Sequence, residues 1–179
     1  MPRKIVGIAI DACSPAAAVD RIRKSEDIGI PAAWLTSAEL GGGDAMTTFA
    51  VAAVETKQIL LGTSIVQTWS RHPVTLAQQT KVIADLAPGR FRLGVGPGHK
   101  PPMERKFGVE FLAPYGHLSE YMQILKELLH EGSVDFAGDH YVANASLANP
   151  VDVPLMASAL RPRSFELCGE KLDGAISWV

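Results

Sequence analysis

At 179 residues, with 47% hydrophobic and 20% charged side chains, the chain is long enough for one domain with a real core and too apolar to be disordered. A net charge of −2 with both signs mixed offers no basic face for nucleic acid and no polybasic anchor for a membrane. The opening MPRKIVGIAIDA carries too short an apolar run for a signal peptide, and no stretch reaches the roughly 20 apolar residues that span a bilayer, so a cytoplasmic protein with small-molecule partners is expected.

Lys4 to Ile10 is a nearly continuous apolar run of buried-strand type, and Ser14-Pro15 then supplies a capping residue and a proline for a first helical position. Ala18, Ile22 and Ile28 mark the apolar face of that helix, which Gly29 ends. Pro31 to Ser37 reads as a second strand, Ala38 to Gly43 as a loop, and Asp44 as the cap of a helix running to about Lys57. Ile59 to Trp69 is a longer third strand, polar towards its end, and Pro73 to Leu86 a third helix stopped by Pro88-Gly89. Arg90 to Leu93 alternates as a fourth strand and breaks at Gly94-Val95-Gly96-Pro97-Gly98 into a turn without large side chains.

Strand starts about 30 residues apart match the size of a βα unit, so a parallel sheet follows. The rhythm then breaks. Residues 101–152 read as an insertion: a turn-rich Pro101 to Pro114, a helix from Tyr115 to Glu131, and a short hairpin, Val134 to Tyr141, around Gly138. Pro154 to Leu160 resumes as a fifth strand, Arg163 to Lys171 as a helix, and Ala175 to Val179 as a sixth strand. A helix after each strand and glycines at a strand end suit a TIM-type (β/α)8 barrel, but eight strands take roughly 250 residues. The expectation is therefore a single domain over 1–179 that forms an incomplete, C-terminally truncated barrel, with an open doubly wound sheet as the alternative.

Glycines at the carboxyl end of a strand let backbone approach a flat or phosphorylated ligand, which makes Gly94 to His99 the first candidate site; a plain tight turn is the other reading. Its G-x-G-x-G spacing misses the dinucleotide fingerprint G-x-G-x-x-G. Cys13 and Cys168 stand far apart and outside any C-x-x-C pair, and Cys168 reads as a small buried thiol on a helix. The five histidines show no H-x-x-x-H spacing, so no metal is expected, and no serine sits in a G-x-S-x-G elbow. Trp69, Arg71 and His72 either line a pocket mouth or form a surface cap before Pro73. Leu118, Met122, Leu125 and Leu129 recur at helical spacing as a core or dimer face.

Four runs carry a family resemblance: GIPAAWLTS, LGTSIVQTWSRHPVTLAQQTKVIADLAPGRFRLGVGPGH, FGVEFLAPYGHLSEYMQILKELLHEGSVDFAGDHY and VPLMASALRPRSFELCGEKLDGAISWV. In this order and spacing they resemble the bacterial luciferase-like superfamily, and within it the deazaflavin branch of F420-dependent oxidoreductases related to methylenetetrahydromethanopterin reductase. The resemblance implies a TIM-type barrel with an inserted segment, coenzyme F420 at the carboxyl ends of the strands, hydride transfer to or from an organic substrate, and a homodimer. The alternatives within the same resemblance are an FMN-dependent monooxygenase and an inactive fragment that only packs or dimerises.

Residue by residue, the resemblance implies a cofactor site at Thr36, Thr63, Ser64, Ile65, Gly96, Gly98, Ala157, Ser158, Ala159, Ser177 and Trp178, with Ser64–Ile65 as a cis peptide against the ring. His99 stands where some relatives place a carboxylate beside the reacting carbon. Imidazole changes charge nearest neutral pH, so His99 is the candidate proton donor or acceptor, with a hydrogen bond to the substrate or a place in solvent as the other readings. Thr36 and Ser37 replace an Asp-His pair of several relatives, which leaves the substrate open.

Overall fold

The structure, a computed structural model, describes residues 6–36 and 43–177. Six parallel positions make one curled sheet: β1 (Ile8–Ile10), β2 (Ala32–Leu35), β3 (Leu60–Thr63) extended by β4 (Val66–Gln67), β5 (Phe91–Gly96), β8 (Leu155–Ser158) and β9 (Gly174–Ile176). Spatial order follows chain order, with β1 at an edge, which is the order of a barrel and not of a doubly wound sheet.

Between the strands run α1 (Pro15–Asp27), α2 (Ala45–Glu55), α3 (Pro73–Leu86) and α6 (Pro162–Lys171). Local chemistry sets their starts. The Ser14 hydroxyl and the Asp44 carboxylate accept from Ala17 N–H and Thr47 N–H at 3.2 and 2.8 Å, satisfying donors that the first turn leaves free. The main core lies between the sheet's outer face and these helices. Ile22, Leu35, Phe49, Leu61, Leu76, Phe91, Leu93 and Leu155 are all fully buried there, and Phe49 meets Phe91 edge-on at 5.7 Å.

Three ties secure the amino end of the sheet. The Glu26 carboxylate accepts from Lys57, Gln58 and Ile59 N–H groups at 2.6–3.1 Å. Burial pushes this carboxyl up, but those bonds outweigh it and hold the group below its ordinary value. Arg90 donates to the carbonyls of Ala53, Thr56 and Ile59, closing the end of α2. Asp173 accepts from Leu155 N–H and returns its own N–H to the Leu155 carbonyl.

Several sequence expectations shift. Ile28, placed on the apolar face of α1, caps that helix instead and is 77% exposed, because the helical stripe ends one residue earlier. The first strand, read as buried, is an edge strand with Val6 and Ile8 exposed. The turn-rich 101–114 contains α4 (Lys100–Phe107): Pro101 and Pro102 fall in its first turn, where no N–H is required, so they start a helix that Gly108 ends at φ 64°. After α5 (Pro114–Lys126) a π-helical turn occupies Glu127–Glu131. The hairpin is β6 (Ser133–Ala137) with β7 (Val142–Ser146), so its second strand lies outside the expected 134–141. Ala143, Asn144 and Ala145 have little intrinsic strand preference; pairing with β6 is what orders them.

Candidate active site

At the carboxyl end of the sheet, β3 does not run straight. Leu61 and Gly62 pair with Phe91 and Arg92, whereas Val66 and Gln67 pair with Val95 and Gly96, so the chain takes four steps from Gly62 to Val66 where β5 takes three. That is a bulge. The single strand Ile59 to Trp69 expected from sequence is therefore β3, the bulge, β4 and a 3-10 turn over Thr68–Ser70. Thr63 repairs the interrupted ladder: its hydroxyl donates to the Gly94 carbonyl and accepts from Gly94 N–H, each at 2.8 Å. The Ser64–Ile65 peptide is cis.

Small residues let the bulge fold over. A Cβ on Gly94 would run into the Thr63 carbonyl oxygen and the Ile176 Cδ1, and one on Gly96 into Ser158 Oγ, with Ile65 Cδ1 3.1 Å away. Above them opens a cleft of about 490 Å³, including solvent at its mouth, lined by Ser64, Ile65, Gly98, His99, Ser158, Leu160, Ile176 and Ser177. Six of these were named from sequence. Leu160 and Ile176 were not; Ile176 enters as the register partner of Ser158, a pairing that exists only in the folded sheet.

Gly96 is buried beneath the cleft, whereas Thr63, Ala157 and Ala159 lie behind it: Thr63 is held by Gly94, the Ala157 carbonyl accepts from the buried Cys168 thiol, and Ala159 N–H donates to Ile176. The half-buried Thr36 ends β2 outside the cleft wall, its hydroxyl without a partner among the described residues. Ser37 and Trp178 lie outside the described residues. His99 is exposed at the rim, preceding α4, and makes no capping bond with its side chain.

A second group of rings stands beside this cleft, on the 3-10 turn and the inserted segment. Trp69 stacks on His117 at 3.6 Å and 5°, and His117 Nε2 meets the Tyr141 hydroxyl at 2.7 Å. Tyr121 donates to the Arg71 carbonyl, and Arg71 pairs with Asp44 and Gln79. His72 does cap α3, its Nδ1 accepting from Val74 N–H at 3.3 Å. Sequence periodicity placed Tyr121 in a core helix but gave no sign of the ring cluster, since its members come from three separate segments. The Glu120 carboxylate fixes the hairpin loop through N–H groups of Asp139, His140 and Tyr141.

Burial, with His140 nearby, pushes His117 down to about 4 from 6.5. Between those two values the unfolded chain binds a proton there that the folded chain does not. The protein is therefore expected to lose stability as pH falls through 6.5, levelling off below pH 4, by roughly 3 kcal/mol at most from this group. Urea unfolding from pH 7 to 4, with His117→Phe as reference, measures it; parallel pH curves for both proteins would exclude the effect.

The profile of the luciferase-like monooxygenase family matches residues 6–179. An F420-dependent glucose-6-phosphate dehydrogenase of Amycolatopsis mediterranei is 28% identical over 167 residues, 86% of this chain and 50% of that protein. The F420-dependent tetrahydromethanopterin reductase of Methanopyrus kandleri superposes with a TM-score of 0.82 at 23% identity, over 96% of this chain and 54% of that one. The FMN-bound oxygenating constituent of 3,6-diketocamphane monooxygenase from Pseudomonas putida does so with 0.75 at 18%, over 89% and 50%. The chain spans about half the length of the curated relatives it matches. With a curled parallel half-barrel, a bulged third strand and a family match over nearly every residue, this chain belongs to the luciferase-like monooxygenase family.

Proposed function

We propose that this chain supplies the cofactor-facing half of an oxidoreductase that moves a hydride between coenzyme F420 and a small organic substrate. The observation that carries the reading is the convergence of Ser64, Ile65, Gly98, His99, Ser158 and Ser177 on one cleft at the carboxyl end of the sheet. The cleft suits a flat ring system: backbone and small side chains form its floor, and no large side chain fits at Gly94 or Gly96. Ser64–Ile65 and Gly96–Gly98 would lie against the ring, and the Ser158 and Ser177 hydroxyls would donate to its polar substituents. When bound, the deazaflavin supplies the hydride-carrying carbon. His99 is the side chain that holds or delivers a proton at the rim, and Leu160 and Ile176 give the cleft apolar lining.

F420 is chosen over FMN because several of the curated relatives that match are named for it. Thermal unfolding of the protein with each cofactor tests the choice, since a ligand at 100 times its Kd adds about 2.7 kcal/mol of stability. F420 is expected to raise the midpoint and FMN to leave it unchanged. A shift with FMN alone would replace the F420 reading by a flavin monooxygenase, and no shift with either would end both.

The protein is also proposed to act as a homodimer. Val51 and Val54 on α2 and Val82 and Leu86 on α3 are 42–61% exposed on adjacent helices, an apolar face suited to a second copy. A monomeric mass by light scattering would rule this out.

A further inference from the structure

Thr68, Trp69 and Arg71 share a property that packing does not explain. Among the described residues six buried side-chain polar atoms lack a partner, and three of them sit here: Thr68 Oγ1, Trp69 Nε1 and Arg71 Nε. Thr68 is 1% exposed, so its hydroxyl has given up water without gaining a protein partner. A buried donor left that way is costly, and three within four residues call for an acceptor that the chain does not provide.

All three can donate, and their residues line a second cleft together with His72, His117, His140 and Tyr141. The two nearest carboxylates are already engaged. Asp44 is held by Arg71 and by the start of α2, and Glu120 by three N–H groups of the hairpin loop. Neither carboxylate is therefore unpartnered, and the open donor on Arg71 is its Nε, beside the two Nη atoms that hold Asp44 and Gln79. Trp69 is held in place by stacking on His117 and by contact with Phe111.

We propose that this cleft binds a small oxyanion, a carboxylate or a phosphate monoester, through Thr68 Oγ1, Trp69 Nε1 and Arg71 Nε. The donor atoms carry almost no exposed area, so the occupant reaches them by displacing the wall formed by His140 and Tyr141. The assignment stands apart from the F420 reading, because it concerns different residues and is read without turnover.

The test uses the protein labelled with 15N-tryptophan, whose three indole signals are separated by the loss of one in Trp69→Phe. Inorganic phosphate, acetate and benzoate are titrated at constant ionic strength against chloride. The Trp69 signal is expected to shift saturably with at least one of them, phosphate marking a phosphate site and acetate or benzoate a carboxylate site, while the Trp34 signal stays in place. Thr68→Val, an apolar isostere, should weaken that anion about tenfold. In anion-free buffer it should also raise the unfolding midpoint, because it removes a hydroxyl that has no partner. His140→Ala, on the exposed loop, should keep the fold and leave the same anion bound at least as tightly, because it removes part of the wall that the occupant displaces. Non-saturating shifts equal to those with chloride would overturn the proposal. So would a lowered midpoint or failure to fold in Thr68→Val, since the hydroxyl would then be satisfied already by enclosed water.

Discussion

Alanine in place of Gly94 is expected to destabilise the protein by about 3 kcal/mol or more, the largest loss from any single added methyl group in the sheet. The added carbon would run into two things at once, the Thr63 carbonyl oxygen and the Ile176 side chain. Ile176 has rotamers to escape into, but the Thr63 carbonyl does not, because both hydrogen bonds of the Thr63 hydroxyl hold that residue to Gly94 itself. Relief therefore requires β3 and β5 to separate at the bulge, which also undoes the floor of the cleft. Gly169 is the internal comparison: it sits on α6 with nothing within 4 Å of an added Cβ, so Gly169→Ala should stabilise by about 0.5–1 kcal/mol. Urea unfolding of the two variants decides the point, and a loss below 1 kcal/mol at position 94 would show that the bulge yields more easily than its hydrogen bonds suggest.

Under the proposed F420 chemistry, His99→Ala in the extended form of the chain is expected to lower kcat by about 100-fold while changing cofactor affinity less than about threefold. This follows from position: His99 is exposed at the rim, its ring makes no capping bond to α4, and the floor that would carry the ring system is built from other residues. Removing the imidazole should leave the floor intact and take away only the proton. Steady-state kinetics with independent F420 titration separates the two quantities. An unchanged kcat would remove His99 from the chemistry, and a parallel loss of affinity would make it a cofactor contact.

Sequence made the repeating unit legible because each βα boundary carries local chemistry, Ser14-Pro15, Asp44 and His72-Pro73 among them, and because apolar runs recur at one spacing. The strand that bears the site resisted a straightforward reading. Ile59 to Trp69 looks like one strand from its composition, and periodicity does not show that four steps there match three on β5; the family resemblance singled out Ser64–Ile65 where the pattern could not. The hairpin's second strand was missed because Ala143 to Ala145 become a strand only by pairing. The Trp69, His117 and Tyr141 cluster was missed because residues so far apart in the chain meet only once the insertion packs against the third helix.

The ties of Glu26, Arg90 and Asp173 all fall at the amino end of the sheet, opposite the cleft. Amide exchange should divide the molecule accordingly. Protons of Ile59 and Leu155, held at the tied end, should persist towards the global unfolding limit. Those around Gly98 and His99 should leave through small local openings. The two ends of one sheet would then answer to different selection: substitutions at the tied end register as lost abundance, and substitutions at the exposed rim around His99 as altered chemistry in a protein that still folds.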